Sequence, residues 1–267
     1  MRVAWATDPH LNFLDELDLD RFVAALHACA PAAVFLTGDI SEAPRLPEHL
    51  LTLDALLGCP IYFVLGNHDF YGGSIAAVRA EAAALTRDVP RLCWLPAAGI
   101  ITLAPGHALV GQDGWGDGRA GDPDGSTVRL NDWRQIADLD AINAMRDIPA
   151  RITALRALGD ESALALDRDL ALALRDHARV TVLTHVPPFA GACWHDGAVS
   201  SAEWLPWFTC VAVGEVLLRA AEAHPDRQLE VYCGHTHSPG RFAPRPNLVV
   251  HTGAAAYGAP TVVALDL

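Results

Sequence analysis

No two of the six cysteines in this 267-residue chain form a C-x-x-C pair, the spacing found in many zinc sites and redox dithiols. The cysteines lie at positions 29, 59, 93, 193, 210 and 233, and several sit inside apolar segments such as VYCG. Free cysteine is among the most buried residue types in proteins. We therefore predict buried, reduced thiols.

The sequence also contains no apolar run long enough to span a bilayer. Its first residues, MRVAWATDPH, lead directly into a strand pattern, without the apolar segment that follows the basic start of a secretory signal. These two absences predict a cytoplasmic protein that does not associate with membranes.

Basic residues are scarce, since 19 Lys and Arg stand against 32 Asp and Glu and the formal charge is −13. A surface with this charge repels the phosphate backbone of long nucleic acids, so we expect no such partner. A small anionic substrate remains compatible, because a bound metal ion reverses the sign of the local field. The charge therefore argues against long nucleic acids as partners but does not exclude a reaction on a small anionic substrate.

Strand-length apolar runs recur along the chain, and the early ones alternate with helical patterns. Ala and Leu repeat at intervals of three to four residues over about 18–29, 46–57 and 74–87, which predicts helices there. Strands that alternate with helices are typical of βαβ units and of a sheet buried on both faces. The predicted strands are VAWAT, AVFLTG, IYFVLG, ALVGQ, VTVLTH, LEVYCG, LVVHTG and TVVALDL.

Two irregular segments interrupt this pattern, at about 111–127 and 190–210. The first is rich in Gly and Asp, and the second ends in WLPWF; helices are predicted across 130–177 and near 211–223. Long loops in a compact domain are more often binding loops than idle ones. No linker divides the chain, so we predict a single domain over 1–267 with these two segments as insertions.

Polar residues follow five of the predicted strands at the point where each strand ends. In open α/β sheets the carboxyl ends of the strands border the crevice that binds ligands, so we expect these side chains to lie together. One such motif alone is more often a helix cap or a turn, but five in one chain make that interpretation improbable. The residues are Asp8 and His10, Asp39, Asn67 with His68 and Asp69, His185, and His235 with His237.

These side chains offer carboxylate and amide oxygens and imidazole nitrogens, with no cysteine among them. Such donors suit Mn²⁺, Fe or Zn²⁺, and their number exceeds what one ion with an open position takes. We therefore predict two divalent ions, Mn or Fe in the first place and Zn as the alternative. Two such ions, about 3.5–4 Å apart, hold a bridging hydroxide and clamp the attacking and leaving oxygens during displacement at phosphorus.

The motifs D-x-H (8–10), GD (38–39), GNHD (66–69) and GHTH (234–237), together with His185, resemble those of the calcineurin-like metallophosphoesterase superfamily. The resemblance covers nearly the whole chain. It implies an α/β fold, a four-layer αββα sandwich of two mixed sheets flanked by helices. GNHD in place of GNHE, together with the small size of the chain, is similar to the bacterial phosphodiesterases and general phosphoesterases of the superfamily.

The resemblance also implies roles for individual residues. Asp39 would bridge the two ions, and His68 would be the general acid that protonates the leaving oxygen, which an imidazole can do near neutral pH. The other implied ligands are Asp8, His10 and His237 for one ion and Asn67, His185 and His235 for the second.

A carboxylate is expected behind His68 to orient its ring. In the protein-phosphatase branch that carboxylate lies three residues after the bridging aspartate, a position occupied here by Glu42. Asp69 is the rival candidate, and Glu42 could also serve only as a cap for the helix at 46–57. The same branch carries an arginine in a GDxVDRG segment, where this chain reads GDISEAP with Ala43, so a protein phosphatase of that branch is not expected.

Residues outside the motifs supply candidates for substrate contacts. Arg119 is a candidate phosphate clamp, because a guanidinium matches phosphate geometry, although a solvated loop arginine is the commoner case. Aromatic side chains at the rim could stack on a base or an aromatic leaving group, although each alone is more often a packing residue. The rim candidates are Phe70, Tyr71, Trp115, Trp194 and His195, whereas WLPWF is interpreted as core or as a contact surface.

We therefore predict a metal-dependent phosphoesterase that hydrolyses small phosphodiesters, cyclic nucleotides included, by direct attack of a hydroxide that bridges the two ions. A phosphomonoesterase for a small metabolite is the first alternative, and a nuclease is disfavoured because the chain lacks a basic track for a polymer. The other alternative is a metal-binding scaffold without turnover. No implied ligand position is missing, which favours an enzyme. No feature of the sequence indicates the oligomeric state.

Overall fold

Two mixed β-sheets pack face to face, and helices cover the outer face of each. The computed structural model describes residues 1–145 and 147–267. The strands are β1 (Arg2–Ala6), β2 (Ala33–Thr37), β3 (Ile61–Val64), β4 (Leu92–Trp94), β5 (Ile101–Ala104), β6 (His107–Gly111), β7 (Arg179–Leu183), β8 (Trp194–His195), β9 (Ala198–Val199), β10 (Gln228–Cys233), β11 (Gly240–Arg245), β12 (Leu248–Thr252) and β13 (Val263–Asp266). The helices are α1 (Glu16–Ala28), α2 (Leu46–Leu57), α3 (Ile75–Asp88), α4 (Leu95–Ala98), α5 (Asp132–Gln135), α6 (Ala137–Ala144), α7 (Ile148–Asp176), α8 (Leu205–Phe208) and α9 (Val211–Ala223).

Most neighbouring strands in both sheets are parallel. The first sheet has the order β13-β1-β2-β3-β4, in which only β13 is antiparallel to its neighbour. The second sheet has the order β11-β12-β10-β7-β6-β5, with antiparallel strands at its two edges. Parallel strands need long crossover connections, which α1, α2 and α3 supply in the first sheet. The carboxyl ends of the parallel strands therefore lie along one edge of each sheet.

Capping side chains mark where two of the helices begin, and a glycine marks where a third ends. Asp15 caps α1 by accepting a hydrogen bond from Asp18 N at 2.8 Å, and Ser74 caps α3 by accepting one from Ala77 N at 3.3 Å. Short polar side chains at these positions satisfy amides that the first helical turn leaves unpaired. At the other end, α2 stops at Gly58, whose φ of 64° is the left-handed conformation that closes many helices.

Three apolar layers hold the sheets and helices together. One layer joins the first sheet to α1, α2 and α3, and another joins the second sheet to α7 and α9. The central layer between the sheets consists of Val3, Trp5, Phe35, Val64, Leu95, Leu109, Leu183 and Tyr232. The αββα sandwich implied by the family resemblance is therefore confirmed.

Most predicted elements are present at the predicted places. The helices at 46–57 and 211–223 coincide with α2 and α9, and the segment 130–177 contains α5, α6 and α7. The strands β4, β5, β8, β9 and β11 lie outside the predicted ones. β4, β5 and β11 are edge strands, and the residues of β5 and β11 are partly exposed. β11 also contains Pro244, which only an edge strand tolerates easily.

The two segments predicted as irregular contain little regular structure. Residues 112–127 have no helix or strand, and residues 190–210 contain the short pair β8 and β9, the four-residue α8 and one turn of 3-10 helix. That these segments are insertions into a single domain stays a prediction. Among the described residues, no helix has both the length and the apolar character needed to cross a bilayer.

Replacing Phe35 with Ala should lower the free energy of unfolding by about 3–5 kcal/mol, because the change leaves a cavity in the buried layer between the sheets. Leu164→Ala on α7 is the control, since Leu164 is 75% exposed and its change should stay within about 0.5 kcal/mol. Urea unfolding followed by circular dichroism measures both. Equal effects of the two changes would contradict the position of Phe35 in the central layer.

Candidate metal centre

Seven polar side chains meet where the carboxyl ends of the central strands of both sheets lie. The first sheet leads into Asp8 and His10 after β1, Asp39 after β2 and Asn67 after β3, and the second leads into His185 after β7 and His235 and His237 after β10. These are the residues that the sequence analysis selected as metal ligands. The structure brings all of them together.

The side chains form two groups that share Asp39. Asp39 Oδ2 lies 3.9 Å from His10 Nε2, and Asp39 Oδ1 lies 3.4 Å from His185 Nε2, so the carboxylate faces both groups. Asn67 adjoins the second group, with its Oδ1 3.2 Å from His185 Nε2. The groups are Asp8, His10, Asp39 and His237, and Asp39, His185 and His235, and in each the candidate ligand atoms lie within 4.8 Å of one another.

Five of these residues have left-handed backbone conformations, at a cost of about 1–2 kcal/mol for a residue other than glycine. Strain of this kind concentrates at functional sites, where the surrounding structure enforces it. Here His10 N donates to Asp39 O at 3.0 Å, which joins two of the strained turns. The φ angles are 47° for Asp8, 43° for His10, 50° for Asp39, 69° for His235 and 57° for His237.

Gly66 permits the close approach of Asp39 and His185. A Cβ atom on Gly66 would overlap Asp39 Oδ1 and His185 Cε1. Because every other residue type carries that atom, only glycine lets the two side chains face each other across this position.

Hydrogen bonds to backbone carbonyls orient the imidazoles of the second group. His185 Nδ1–H donates to Thr37 O at 2.8 Å, and His235 Nε2–H donates to Trp207 O at 3.3 Å. The lone pairs of His185 Nε2 and His235 Nδ1 then face each other at 3.1 Å. Burial lowers the pKa of both rings, so both are neutral and free to bind a cation. A cation between the two nitrogens fits this arrangement.

The first group combines buried carboxylates with imidazoles. Burial, and then the charge of Asp8, raises the pKa of Asp39. Burial also acts to raise the pKa of Asp8, but the hydrogen bond from His237 and the nearby imidazoles outweigh it, and the pKa is lowered. Burial lowers the pKa of His10 to about 3, and its Nε2 lies 3.3 Å from His237 Nε2. Buried carboxylates require compensating positive charge, so this donor set also fits a divalent ion.

The ring of His68 lies beside both groups. His68 N donates to Asp39 Oδ1 at 2.8 Å, and its ring stacks on Tyr71 with centroids 4.3 Å apart and an interplanar angle of 29°. The ring centroid of His10 lies 4.7 Å away. Burial lowers the pKa of His68 to about 4.

Neither carboxylate proposed from the sequence orients His68. His68 Nδ1 is buried and has no hydrogen-bond partner among the described residues, which include Glu42 and Asp69. Both oxygens of Asp69 are used elsewhere, since they accept from Ser41 N and Gly66 N at 2.8 Å each. Burial raises the pKa of Asp69 to about 7. Asp69 therefore joins two loops of the site instead of holding the imidazole.

Two of the predicted substrate residues do not line the large cavity beside the metal groups. The guanidinium of Arg119 pairs with Asp117 at 2.9 Å and with Asp160 at 2.7 Å, so its loop folds against α7 and its charge is compensated there. Trp115 is buried, packs on Phe70 and lines a void of about 10 Å³ that Asn67 and His235 also line, so it adjoins the second group from within the core. The predictions of a phosphate clamp and a rim aromatic at these positions are wrong.

A cavity of about 660 Å³ opens beside the two groups, and the predicted rim residues Tyr71 and His195 line it. Trp204 and Phe208 of WLPWF also line it, although that segment was expected to be core or a contact surface.

Further lining residues that the motifs do not indicate are Arg129, Asp132 and Tyr257. Only Asp132 has a signal in the sequence, as the residue that begins a helix directly after the Gly/Asp segment.

The sequence profile of the calcineurin-like phosphoesterase family matches residues 1–239. The chain belongs to this family. It is a metal-dependent phosphoesterase, of a family that acts on small phosphoesters and typically binds two divalent ions, and its buried candidate metal site lies at the strand ends described above. The resemblance drawn from the motifs is therefore confirmed.

Solved structures share the fold of this phosphoesterase. A dimetal phosphatase from Danio rerio is 18% identical, with a TM-score of 0.57 over 95% of this chain and 87% of its own. The phosphopantetheinyl hydrolase of Mycobacterium tuberculosis is 16% identical, with a TM-score of 0.59 over 98% of this chain and 95% of its own. No curated protein matches the sequence. At these identities the likeness concerns the fold alone.

Asp69→Ala should destabilise the phosphoesterase by about 1–3 kcal/mol for each of the two buried amides that lose their acceptor, Ser41 N and Gly66 N. Asp88→Ala is the control, because Asp88 pairs with Arg87 on the surface and such pairs contribute about 0–1 kcal/mol. Urea unfolding measures both variants. An Asp69→Ala protein as stable as the control would show that the carboxylate does not hold these loops.

Proposed function

We propose that this phosphoesterase hydrolyses small phosphodiesters, cyclic nucleotides among them. The observation that carries the proposal is the cavity of about 660 Å³ beside the candidate metal groups, which has aromatic walls and a single arginine among its described lining residues. A phosphodiester has one negative charge and two substituents. It therefore gains more from apolar contact area than from several cations.

The aromatic walls offer stacking surfaces for a base or another flat substituent. On one side the ring of Tyr257 lies over His10, with centroids 4.5 Å apart and an interplanar angle of 30°. On the other side Trp204 packs against Phe208 at 5.1 Å. Tyr257 and Trp204 are 54% and 41% exposed, so their rings are open to a substrate.

The assignment of ligands follows the two groups. Asp8, His10 and His237 would hold one ion, Asn67, His185 and His235 would hold the second, and Asp39 would be shared by the two groups. Oxygen and imidazole donors without thiolate favour Mn or Fe, with Zn as the alternative. When bound, the two ions supply positive charge for the phosphoryl oxygens and lower the pKa of water. The chain itself supplies the orientation of the donors and the exclusion of solvent around Asp8 and Asp39, both of which are buried.

His68 supplies the proton for the leaving oxygen. Its ring lines the cavity, next to Asp39, and stacking on Tyr71 holds the plane of the ring. Its pKa is low because of burial, and the negative charge of a bound phosphoester raises it, since an anion stabilises the imidazolium.

A phosphomonoester of a small metabolite is the second candidate, and Arg129 is the observation that favours it. A monoester carries a second charge that a guanidinium in the cavity can pair. In the structure Arg129 is exposed and donates to Val128 O at 2.8 Å, which engages it with its own loop. Diesters are the first candidate for this reason.

The remaining sequence predictions concern turnover and compartment. A scaffold without turnover is disfavoured because every proposed ligand lies in one of the two groups or, for Asn67, beside the second. All six cysteines are free thiols, which agrees with a reducing compartment, and a cytoplasmic location stays a prediction.

The proposal is tested by stripping the protein with EDTA, adding back Mn²⁺ and comparing bis(p-nitrophenyl) phosphate with p-nitrophenyl phosphate. We expect two ions per chain and a kcat/KM for the diester that exceeds that for the monoester by about tenfold or more, about 1.4 kcal/mol. Metal content is measured on the same preparation. A preference for the monoester would support the second candidate, and bound metal without turnover of either compound would support the scaffold.

His68→Ala should lower kcat by about 10²–10⁴-fold, because the leaving oxygen loses its proton donor. Both ions should remain bound, since His68 is not a ligand in this assignment. His27→Ala on the exposed side of α1 is the control and should keep full activity. Loss of an ion from His68→Ala, with the rate retained, would contradict the role given to this residue.

A further inference from the structure

A buried carboxylate outside both metal groups holds Asn67 and Tyr71. Asp132 is 5% exposed, and its Oδ1 accepts hydrogen bonds from Asn67 Nδ2 at 2.9 Å and from the Tyr71 hydroxyl at 2.6 Å. Asn67 Nδ2 also lies 3.3 Å from the Tyr71 oxygen. The three residues therefore form one closed network beside the second group.

This network selects which end of the Asn67 carboxamide faces the metal groups. A carboxamide keeps nearly the same shape when it turns by 180°, but only its oxygen has lone pairs for a cation. A carboxylate accepts hydrogen bonds and donates none, so Asp132 keeps Nδ2 on its own side. Asn67 Oδ1 then points away from Asp132, to a position 3.2 Å from His185 Nε2.

The same carboxylate acts on His68 through Tyr71. The Tyr71 ring stacks on the His68 ring, and the hydrogen bond to Asp132 fixes the tyrosine from its other end. His68 Nδ1 has no hydrogen-bond partner among the described residues. Ring stacking therefore orients the imidazole, in place of the directly bonded carboxylate expected from the sequence.

The fold holds Asp132 rigidly. Asp132 is the first residue of α5, and two backbone hydrogen bonds join the end of this helix and the start of α6 to residues 72–73: Gly72 N donates to Gln135 O at 2.8 Å, and Ala137 N donates to Gly73 O at 3.0 Å. Ile136, directly after the helix, is fully buried in the layer under the first sheet. A group that orients a ligand needs such support, because small displacements are passed on to the ligand.

We propose that Asp132 is a positioning residue that presents the Asn67 oxygen to the second metal ion and, through Tyr71, holds the ring of His68. The proposal rests on the function proposed above, because it takes Asn67 as a ligand. Asp132 is not itself a ligand in this proposal, since it belongs to neither group of candidate ligands and its Oδ1 already accepts two hydrogen bonds.

The test is a titration of EDTA-stripped protein with MnCl₂, in which free Mn²⁺ is measured by electron paramagnetic resonance. Wild-type protein should bind two ions. Asp132→Ala should bind one ion as the wild type does and the other about 10–100-fold more weakly, the usual effect of losing a group that orients a metal ligand. At saturating Mn²⁺ its kcat should stay below that of the wild type with little change in KM, because His68 has lost its support.

Two further variants separate positioning from a general structural effect. Asp132→Glu keeps a carboxylate, which accepts hydrogen bonds and donates none, and should recover most of the loss of affinity of about 10–100-fold expected for Asp132→Ala. Asp169→Ala removes another buried carboxylate, which bonds to Arg168 on α7, and should leave both affinities unchanged. If Asp132→Ala fails to fold, Asp132→Ser replaces it with the same expected result, because a hydroxyl both donates and accepts and so does not select one end of the amide.

Unchanged affinities in Asp132→Ala, or equal weakening of both, would overturn the proposal. A loss in Asp132→Glu as large as in Asp132→Ala would also overturn it, because an acceptor-only carboxylate at this position would then be irrelevant. Wild-type protein that binds fewer than two Mn²⁺ contradicts the proposed function itself. The titration of the wild type therefore separates failure of that function from failure of the role given to Asp132.

Discussion

The burial of Asp8 and Asp39 side by side is the constraint on which the rest of this structure depends. Burial and the charge of Asp8 raise the pKa of Asp39, which measures how unfavourable a second buried charge is at this point. Such charges are stable only when opposite charge compensates them. Divalent ions bound at the candidate site would supply that charge, and metal binding would then be coupled to local stability. The left-handed turns that carry these residues persist because the surrounding strands leave them no alternative.

Neither sheet alone supplies all of the candidate metal ligands. The first sheet supplies the carboxylates and the second supplies His185 and His235, and the sheets meet through the central apolar layer, where the rings of Trp5 and Tyr232 are in edge contact at 4.9 Å. A small slide of one sheet over the other would separate Asp39 from His185, which lie 3.4 Å apart. Because protein interiors are close-packed and hardly compressible, a shift in the central layer is passed on to the residues at the edge of the sheets. Packing between the sheets therefore helps to fix the distances between candidate metal ligands that come from different sheets.

The parts of the site that could be predicted are those whose position follows from secondary structure alone. The candidate ligands stand directly after parallel strands, so topology brings them together. The support of His68 could not be predicted, because Asp132 lies 61 residues after Tyr71, at the end of a loop whose path no periodic pattern indicates. Arg119 was misjudged for a related reason, since its loop folds back on α7, where Asp160 pairs with it.

The two metal positions of the proposed assignment differ in charge, and this difference explains where orientation matters. The first position has two carboxylates, Asp8 and Asp39, whereas the second shares Asp39 and otherwise has imidazoles and the neutral oxygen of Asn67. Affinity for a hard cation increases with the number of charged ligands, so the first position binds more tightly. At the second position, turning the Asn67 amide so that its oxygen no longer faces the ion removes a larger fraction of the total metal–ligand interaction than the loss of one ligand would at the first position. A carboxylate that holds the amide in place, such as Asp132, therefore has its greatest effect on the ion that is bound less tightly.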